Sequence, residues 1–434
     1  MNRAAIRISA AVLIFLMPVV SSLGSVVTVA GLAAARPWAL LLCLACLASM
    51  VRWNDTATLI VLLAGVWLGW GVASLHSADG FRKLFAIGVG FATALGFVVY
   101  PWTRERLRLL ARAWLFAWLV AILPACYEIA TGRHLPNYLA SSPEWTRQRS
   151  DDIASYFVNP NPFAYFLCAS MIVFAMGARL EGPRMRRVLI ACCLVTPLII
   201  TQTASRAVLA VSLLVVVWVL STTEWVRTHR RTVLAASAVA VAVAATVFLL
   251  TPGMTDRILS SFQGSGSDRM KLYLNSVWMF VSSWGLGVGP GMFEPIMRTG
   301  MVPHQTTGAV NPHSGVFEVL SQYGFLVSAA VGAALVVLAV KGSHGFRRTS
   351  TADPARRIIL QGLTVTAVAL PLLSFGDSTF LDSPIAWAQI ATTLAFFHAQ
   401  HHLRPAPPAP AATGVTDRRL RVLRRTDRGC CTPR

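Results

Sequence analysis

Runs of apolar residues recur along most of the chain. Each approaches the roughly 20-residue length that a helix needs to cross a bilayer. They predict spans at about 8–30, 37–51, 57–75, 83–100, 109–130, 160–178, 188–203, 206–222, 232–250, 314–340, 357–374 and 384–399. The fold class that follows is an all-α polytopic membrane protein with about 12 transmembrane helices. Most polar connections are short. Two are long, 131–159 and 252–312, and loops of that length are usually functional or disordered. The second is the main polar interruption of the chain and precedes the late spans. Within it, Ser267 can cap a helix that starts at Asp268. Leu274, Val277, Trp278 and Val281 then follow i, i+3, i+4, i+7 spacing, with Arg269 and Tyr273 off that stripe. This predicts a short amphipathic helix at the membrane surface.

Composition supports the bilayer reading. Of 434 residues, 55% are hydrophobic and 13% charged, against roughly 25% charged in a soluble domain. Arg3 and Arg7 precede the first apolar run, which is longer than a signal-peptide core, so it reads as the first span. The formal net charge is +20, which in a soluble chain would suggest nucleic acid. Its placement says otherwise. With the N-terminus in the cytoplasm, 27 of the 38 Lys and Arg fall on cytoplasmic segments and 11 on external ones, the asymmetry of the positive-inside rule. No nucleic-acid partner is expected. The chain reads as a multi-pass protein of the cytoplasmic (inner) membrane with both termini in the cytoplasm and 131–159 and 252–312 outside. Residues 1–403 form the membrane domain. Residues 404–434, with a Pro-rich start and an Arg cluster from Arg418 to Arg428, read as a basic disordered cytoplasmic tail. Cys43 and Cys46 have CxxC spacing but lie within a span with no second pair, and read as small core residues.

Cations on the outer side run against the topology rule, and so they draw attention. Arg206 follows Thr201-Gln-Thr-Ala-Ser205, where one span ends and the next begins with almost no loop. A cation at that depth usually has a partner; it can snorkel to headgroups or bind an anion. Arg269 poses the same choice, with Asp268 beside it. His313 ends the long loop, after Asn311-Pro312. Ser314, Glu318 and Ser321 follow at i, i+4, i+7, a polar stripe that should face the bundle. His304 is a weaker candidate. Gly287, Gly289 and Gly291 form a tight turn, with no βαβ setting for a dinucleotide site. No HExxH, Cys/His ligand set, Walker loop or GxSxG occurs. Asp151-Asp152 is the adjacent acidic pair and reads as a solvated loop. No metal and no cofactor are expected.

Four signatures in this order are similar to the O-antigen ligase and O-antigen polymerase superfamily of bacterial membrane glycosyltransferases. They are Asn159-Pro-Asn161-Pro-Phe163 before a middle span, Thr203-Ala-Ser205-Arg206 at a span start, Arg269 followed after an apolar helix by Gly287-x-Gly289-x-Gly291-x-Phe293, and His313-Ser314 followed after nine residues by Gly324. Val327 stands where the family has a small residue or Tyr. The resemblance covers most of the chain. It implies a GT-C-like, metal-independent glycosyltransferase that takes a glycan from an undecaprenyl-diphosphate-linked donor to a hydroxyl of a lipid or glycan acceptor, among membrane lipids. His313 is the candidate general base. Arg206 and Arg269 are the candidate diphosphate-binding residues. His304, Asn311, Ser314, Glu318 and Asn161 are possible substrate contacts. The His-Ser pattern leans towards ligase. A surface polysaccharide polymerase with the same chemistry is the alternative, and a lipid-glycan flippase or transporter the second. A transporter should carry ionisable residues at mid-bilayer in broken helices, whereas the charges here gather in loops.

Overall fold

The computed structural model describes residues 3–23, 27–29, 32–50, 53–135, 152–222, 228–229, 265–351, 353–375 and 380–400. The described chain is helical: α1 (Arg3–Ser22), α2 (Ala35–Ala48), α3 (Asp55–Ala73), α4 (Ala78–Val99), α5 (Arg104–Thr131), α6 (Pro160–Ala178), α7 (Pro183–Thr201), α8 (Arg206–Ser221), α9 (Ser265–Ser282), α10 (Phe293–Arg298), α11 (Gly315–Arg348), α12 (Pro354–Ser374) and α13 (Pro384–Ala399). A two-residue antiparallel ladder, Thr28–Val29 with Leu32–Ala33, follows α1. It ends the first span sooner than the apolar pattern implies.

Every predicted span except 232–250 coincides with a described helix; that one lies outside the described residues, as do the 404–434 tail, residues 136–151 of the first long loop, Asp151 among them, and residues 252–264 of the second. Helices α3, α4, α5, α6, α11 and α12 are long and apolar enough to cross a bilayer. The protein is therefore an all-α, multi-pass membrane protein.

Helix α6 is the centre. It is apolar all round and almost entirely buried, as a helix surrounded by others must be. Asn159 caps it by accepting from the Asn161 N–H at 2.8 Å, with Pro160 in the first turn. The Asn-Pro-Asn signature is thus a helix start. Helices α5, α7, α8, α12 and α13 surround α6. Indole-to-hydroxyl bonds tie this core across helices: Trp114 Nε1 donates to Thr392 at 3.0 Å and Trp118 Nε1 to Thr196 at 3.2 Å. Cys43 and Cys46 are buried in α2, as core residues.

The helices alternate between two ends. At the basic end, Arg112 forks onto Glu181 at 2.7 and 2.8 Å, Arg179 donates to the Thr222 carbonyl at 2.9 Å, and Arg357 donates to the Thr349 carbonyl at 3.1 Å. At the loop end, Ile153 N–H meets the Gln202 carbonyl at 2.9 Å, and Trp70 Nε1 meets the Leu286 carbonyl at 3.1 Å. Buried Glu128, near the end of α5, takes His134 Nδ1 at 2.8 Å and the backbone N–H groups of Ala154 and Ser155 at 2.9 and 2.6 Å. That carboxylate fastens the described end of the first long loop to the bundle.

One helix is not continuous. Gly324 breaks α11 with φ 69° and ψ −163°. The break exposes carbonyls that the glycine turn fills. Val288 N–H binds the Ser321 carbonyl at 2.8 Å, Gly289 N–H the Gln322 carbonyl at 3.0 Å, and Phe325 N–H the Gly285 carbonyl at 2.7 Å. The approach is so close that a Cβ on Gly324 would lie 2.3 Å from the Leu286 carbonyl carbon, and one on Gly287 2.6 Å from the Gln322 oxygen. The Gly-x-Gly-x-Gly turn and the later glycine are two halves of one joint.

Candidate active site

Two segments meet at the loop end of α12, and a third lies level with them. The first is α9. It begins at Ser265, not at Asp268, so Ser267 lies inside the helix and does not cap it; the serines before Asp268 extend the helix by most of a turn. Its face is the reverse of a soluble helix. Leu272, Asn275, Ser276 and Met279 are buried, while Leu274, Val277 and Val281 are exposed. The predicted apolar stripe is thus an outward face, suited to lipid. The inward face carries Arg269 and Tyr273. Arg269 is half-buried, and its Nη1 donates to the Phe375 carbonyl at 3.4 Å, at the end of α12. Tyr273 stacks on Phe317 with ring centroids 4.3 Å apart.

The second segment is the start of α11. His313 is half-buried and holds φ 49°, a left-handed backbone unusual for a side-chain-bearing residue. Asn311 sustains it by accepting the His313 N–H at 3.0 Å, and Asn311 itself donates to Glu294 of α10 at 3.1 Å. The helix therefore opens one residue later than His313, with Ser314 at the cap position and Gly315 first. Ser314 makes no cap bond; among the described residues its hydroxyl is buried without a hydrogen-bond partner. A buried hydroxyl of this kind costs stability unless something binds it. Gly315 packs on Ser374 and Phe380, where an added Cβ would approach to 3.2 and 2.9 Å. The polar stripe points inward as expected: Ser314, Glu318 and Ser321 are all buried.

The third segment is the α7–α8 turn. It is as tight as the pattern implies, with Ala204 at φ 50° and Arg206 opening α8, exposed. Helices α8 and α12 pack together, and Trp218 Nε1 meets Gln361 at 3.4 Å. From that contact Arg206 lies about 18 Å back along α8, and Ser374 about 20 Å on along α12, at 1.5 Å per residue. Arg206 and the Arg269–Phe375 contact are therefore level, at the same end of α12.

His304 goes elsewhere. Its backbone is clasped by Asn275, which donates to the His304 carbonyl at 2.7 Å and accepts its N–H at 3.2 Å, and its side chain is exposed. Asp268 accepts from the Thr307 N–H at 3.2 Å and from its hydroxyl, and anchors the same loop. Burial pushes the Asp268 carboxyl up, but these bonds, with Lys271 behind them, outweigh it and hold the group below the usual carboxylate range. Asn161 lies half-buried in the first turn of α6.

An apolar cavity of about 340 Å³ adjoins this point. Gly315 and Ser374 line it together with Trp67, Leu335, Leu370 and Trp387. Ser374 of its lining is followed by Phe375, whose carbonyl Arg269 holds; an apolar cavity with a cation near it suits an amphiphile with an anionic head.

Residues 188–332 match the family model for O-antigen ligase. That match supports the O-antigen ligase superfamily for this segment, about a third of the chain. No curated protein matches it. The ligase-family segment runs from α7 to the middle of α11. It therefore contains Arg206, Arg269, His304, Asn311, His313, Ser314, Glu318 and both halves of the glycine joint, while Asn161 comes from outside it.

The loops-only picture of charge missed buried Glu128 and the lysine that partners Glu318. Glu318 pairs with Lys83 of α4 at 2.7 Å, and Glu128 is the anchor already described. The spans are thus less free of charge than expected, and one of them is broken. Both carboxylates nevertheless sit near the loop end. Glu318 is about 4.5 Å into α11 and Lys83 about 7.5 Å into α4, short of the roughly 15 Å to mid-bilayer. The break is filled by backbone N–H groups from the glycine turn. The signal for Lys83 was available: an ionisable residue inside an apolar span marks a partner or a site by default.

Proposed function

We propose that the protein transfers a glycan from an undecaprenyl-diphosphate-linked donor to an acceptor hydroxyl on the outer face of the cytoplasmic membrane. The match of residues 188–332 to the O-antigen ligase family model supports a glycan-transferring enzyme. The observation that carries the finer reading is the convergence of Arg269, the His313–Ser314 corner and the level of Arg206 on the end of α12, beside an apolar cavity.

In this reading the lipid tail of the donor enters the cavity and its diphosphate stays at the rim. The arginines fork onto the phosphate oxygens. The acceptor oxygen attacks the anomeric carbon while His313 takes its proton. The sugar–phosphate bond breaks, and the electron pair leaves on the lipid diphosphate, whose growing charge the arginines offset. In-line attack inverts the anomeric centre. The leaving group is already good, so the chemistry needs no metal.

Ligase ranks ahead of polymerase on the His313-Ser314 pattern. The two differ only in what supplies the hydroxyl. Purified protein given the lipid-linked repeat unit alone separates them. We expect no product until a distinct acceptor is added. Stepwise lengthening of the lipid-linked glycan without one makes the protein a polymerase. His313→Ala that is folded, membrane-inserted and fully active removes the base from the reading altogether.

A further inference from the structure

We infer that Lys83 is a positioning residue for His313, acting through a buried ion pair with Glu318. This rests on His313 being the base proposed above. Lys83 lies outside the ligase-family segment, on α4, so its contact with Glu318 joins that segment to the rest of the bundle. The Lys83 Nζ–Glu318 Oε1 distance is 2.7 Å, and the Glu318 side chain is 4% exposed. Glu318 lies in the first turn of α11, five residues after His313. The same Glu318 oxygen accepts from Gln322 Nε2 at 3.0 Å. Gln322 in turn receives Gly289 N–H on its carbonyl and Gly291 N–H on its side chain. One lysine therefore ties α4 to the start of α11 and, through Gln322, to the glycine joint.

A second tie reaches the same corner. Glu294 holds Asn311, and Asn311 holds the left-handed backbone of His313. The first turn of α11 cannot fix itself, because Ser314 makes no cap bond and Gly324 breaks the helix nine residues on. An external clamp is what its geometry requires. A displacement of about 1 Å in a reacting group can cost about 100-fold in rate, which is the effect expected when the clamp is removed.

The test measures donor KM and kcat for glycan transfer by the full-length protein in detergent or nanodiscs. Lys83→Met should lower kcat about 100-fold with donor KM little changed, since the arginines still hold the diphosphate. Lys83→Arg, which keeps charge and reach, should recover most of the rate. Lys83→Met leaves a buried carboxylate unpaired and can fail to fold, so the double variant Lys83→Met/Glu318→Gln is measured beside it. With both charges gone it should fold as well as wild type yet stay slow. A double variant that folds and transfers at the wild-type rate makes the pair mere charge compensation and overturns the inference. So does a folded Lys83→Met with wild-type kcat. His313→Ala is run in the same series. If it is inactive while Lys83→Met is normal, only the clamp is wrong. If it is active, the base assignment itself falls.

Discussion

Replacing Gly324 with Ala should be among the most damaging single-methyl changes in the protein. Its backbone, at φ 69° and ψ −163°, lies in a region open almost only to glycine, and holding another residue there costs about 1–3 kcal/mol. The new Cβ would sit 2.3 Å from the Leu286 carbonyl carbon and 2.4 Å from the Gly285 oxygen. Both are backbone atoms, so the two segments must part. That would break three inter-segment hydrogen bonds, from Val288, Gly289 and Phe325, each worth about 1 kcal/mol. The sum is roughly 4–6 kcal/mol, most of the stability of a marginal fold. Thermal unfolding of the purified protein, followed by tryptophan fluorescence, should show a Tm lower by on the order of 10 °C. Gly332→Ala, eight residues on in the same helix, is the control. A Cβ there meets nothing within 4 Å, and Ala is the better helix former by roughly 0.5–1 kcal/mol. It should match or exceed wild type. Equal Tm values for the two variants would refute the interlocked joint.

Other expectations follow from the same corner. Arg206→Lys should reduce transfer by at least about 10-fold with normal membrane insertion, because an ammonium cannot reproduce the two-pronged guanidinium contact; unchanged glycan output in a transfer assay would remove Arg206 from the diphosphate. His313→Gly should be inactive yet more thermostable than His313→Ala, since glycine accepts φ 49° without strain; a Tm no higher for the glycine variant counts against a strained corner. Single cysteines at positions 142 and 265, in a cysteine-free background, should react with an impermeant thiol reagent from the outer side of the cytoplasmic membrane. Reaction only after that membrane is permeabilised would reverse the orientation and remove the site from the donor.

Much of this was legible along one dimension. Bilayer helices announce themselves by length and hydropathy, because no other structure but a closed barrel satisfies the backbone in lipid. Hence predicted spans such as 160–178 and 384–399 coincide with their helices. The tight α7–α8 turn was equally local, fixed by the few residues between two apolar runs. The inward face of Ser314, Glu318 and Ser321 followed from helical periodicity alone. What periodicity cannot carry is which segment answers which. Gly324 looks like any glycine in an apolar helix until the Gly287 turn, more than thirty residues earlier, is found against it. The α9 stripe was read correctly as apolar, but only packing decides that Asn275 and Ser276 go inside while Leu274 and Val281 face out. Lys83 and Glu318 are 235 residues apart, and no local motif pairs them. Their pairing arises because a buried charge must find its opposite, and the tertiary structure alone decides where that opposite stands.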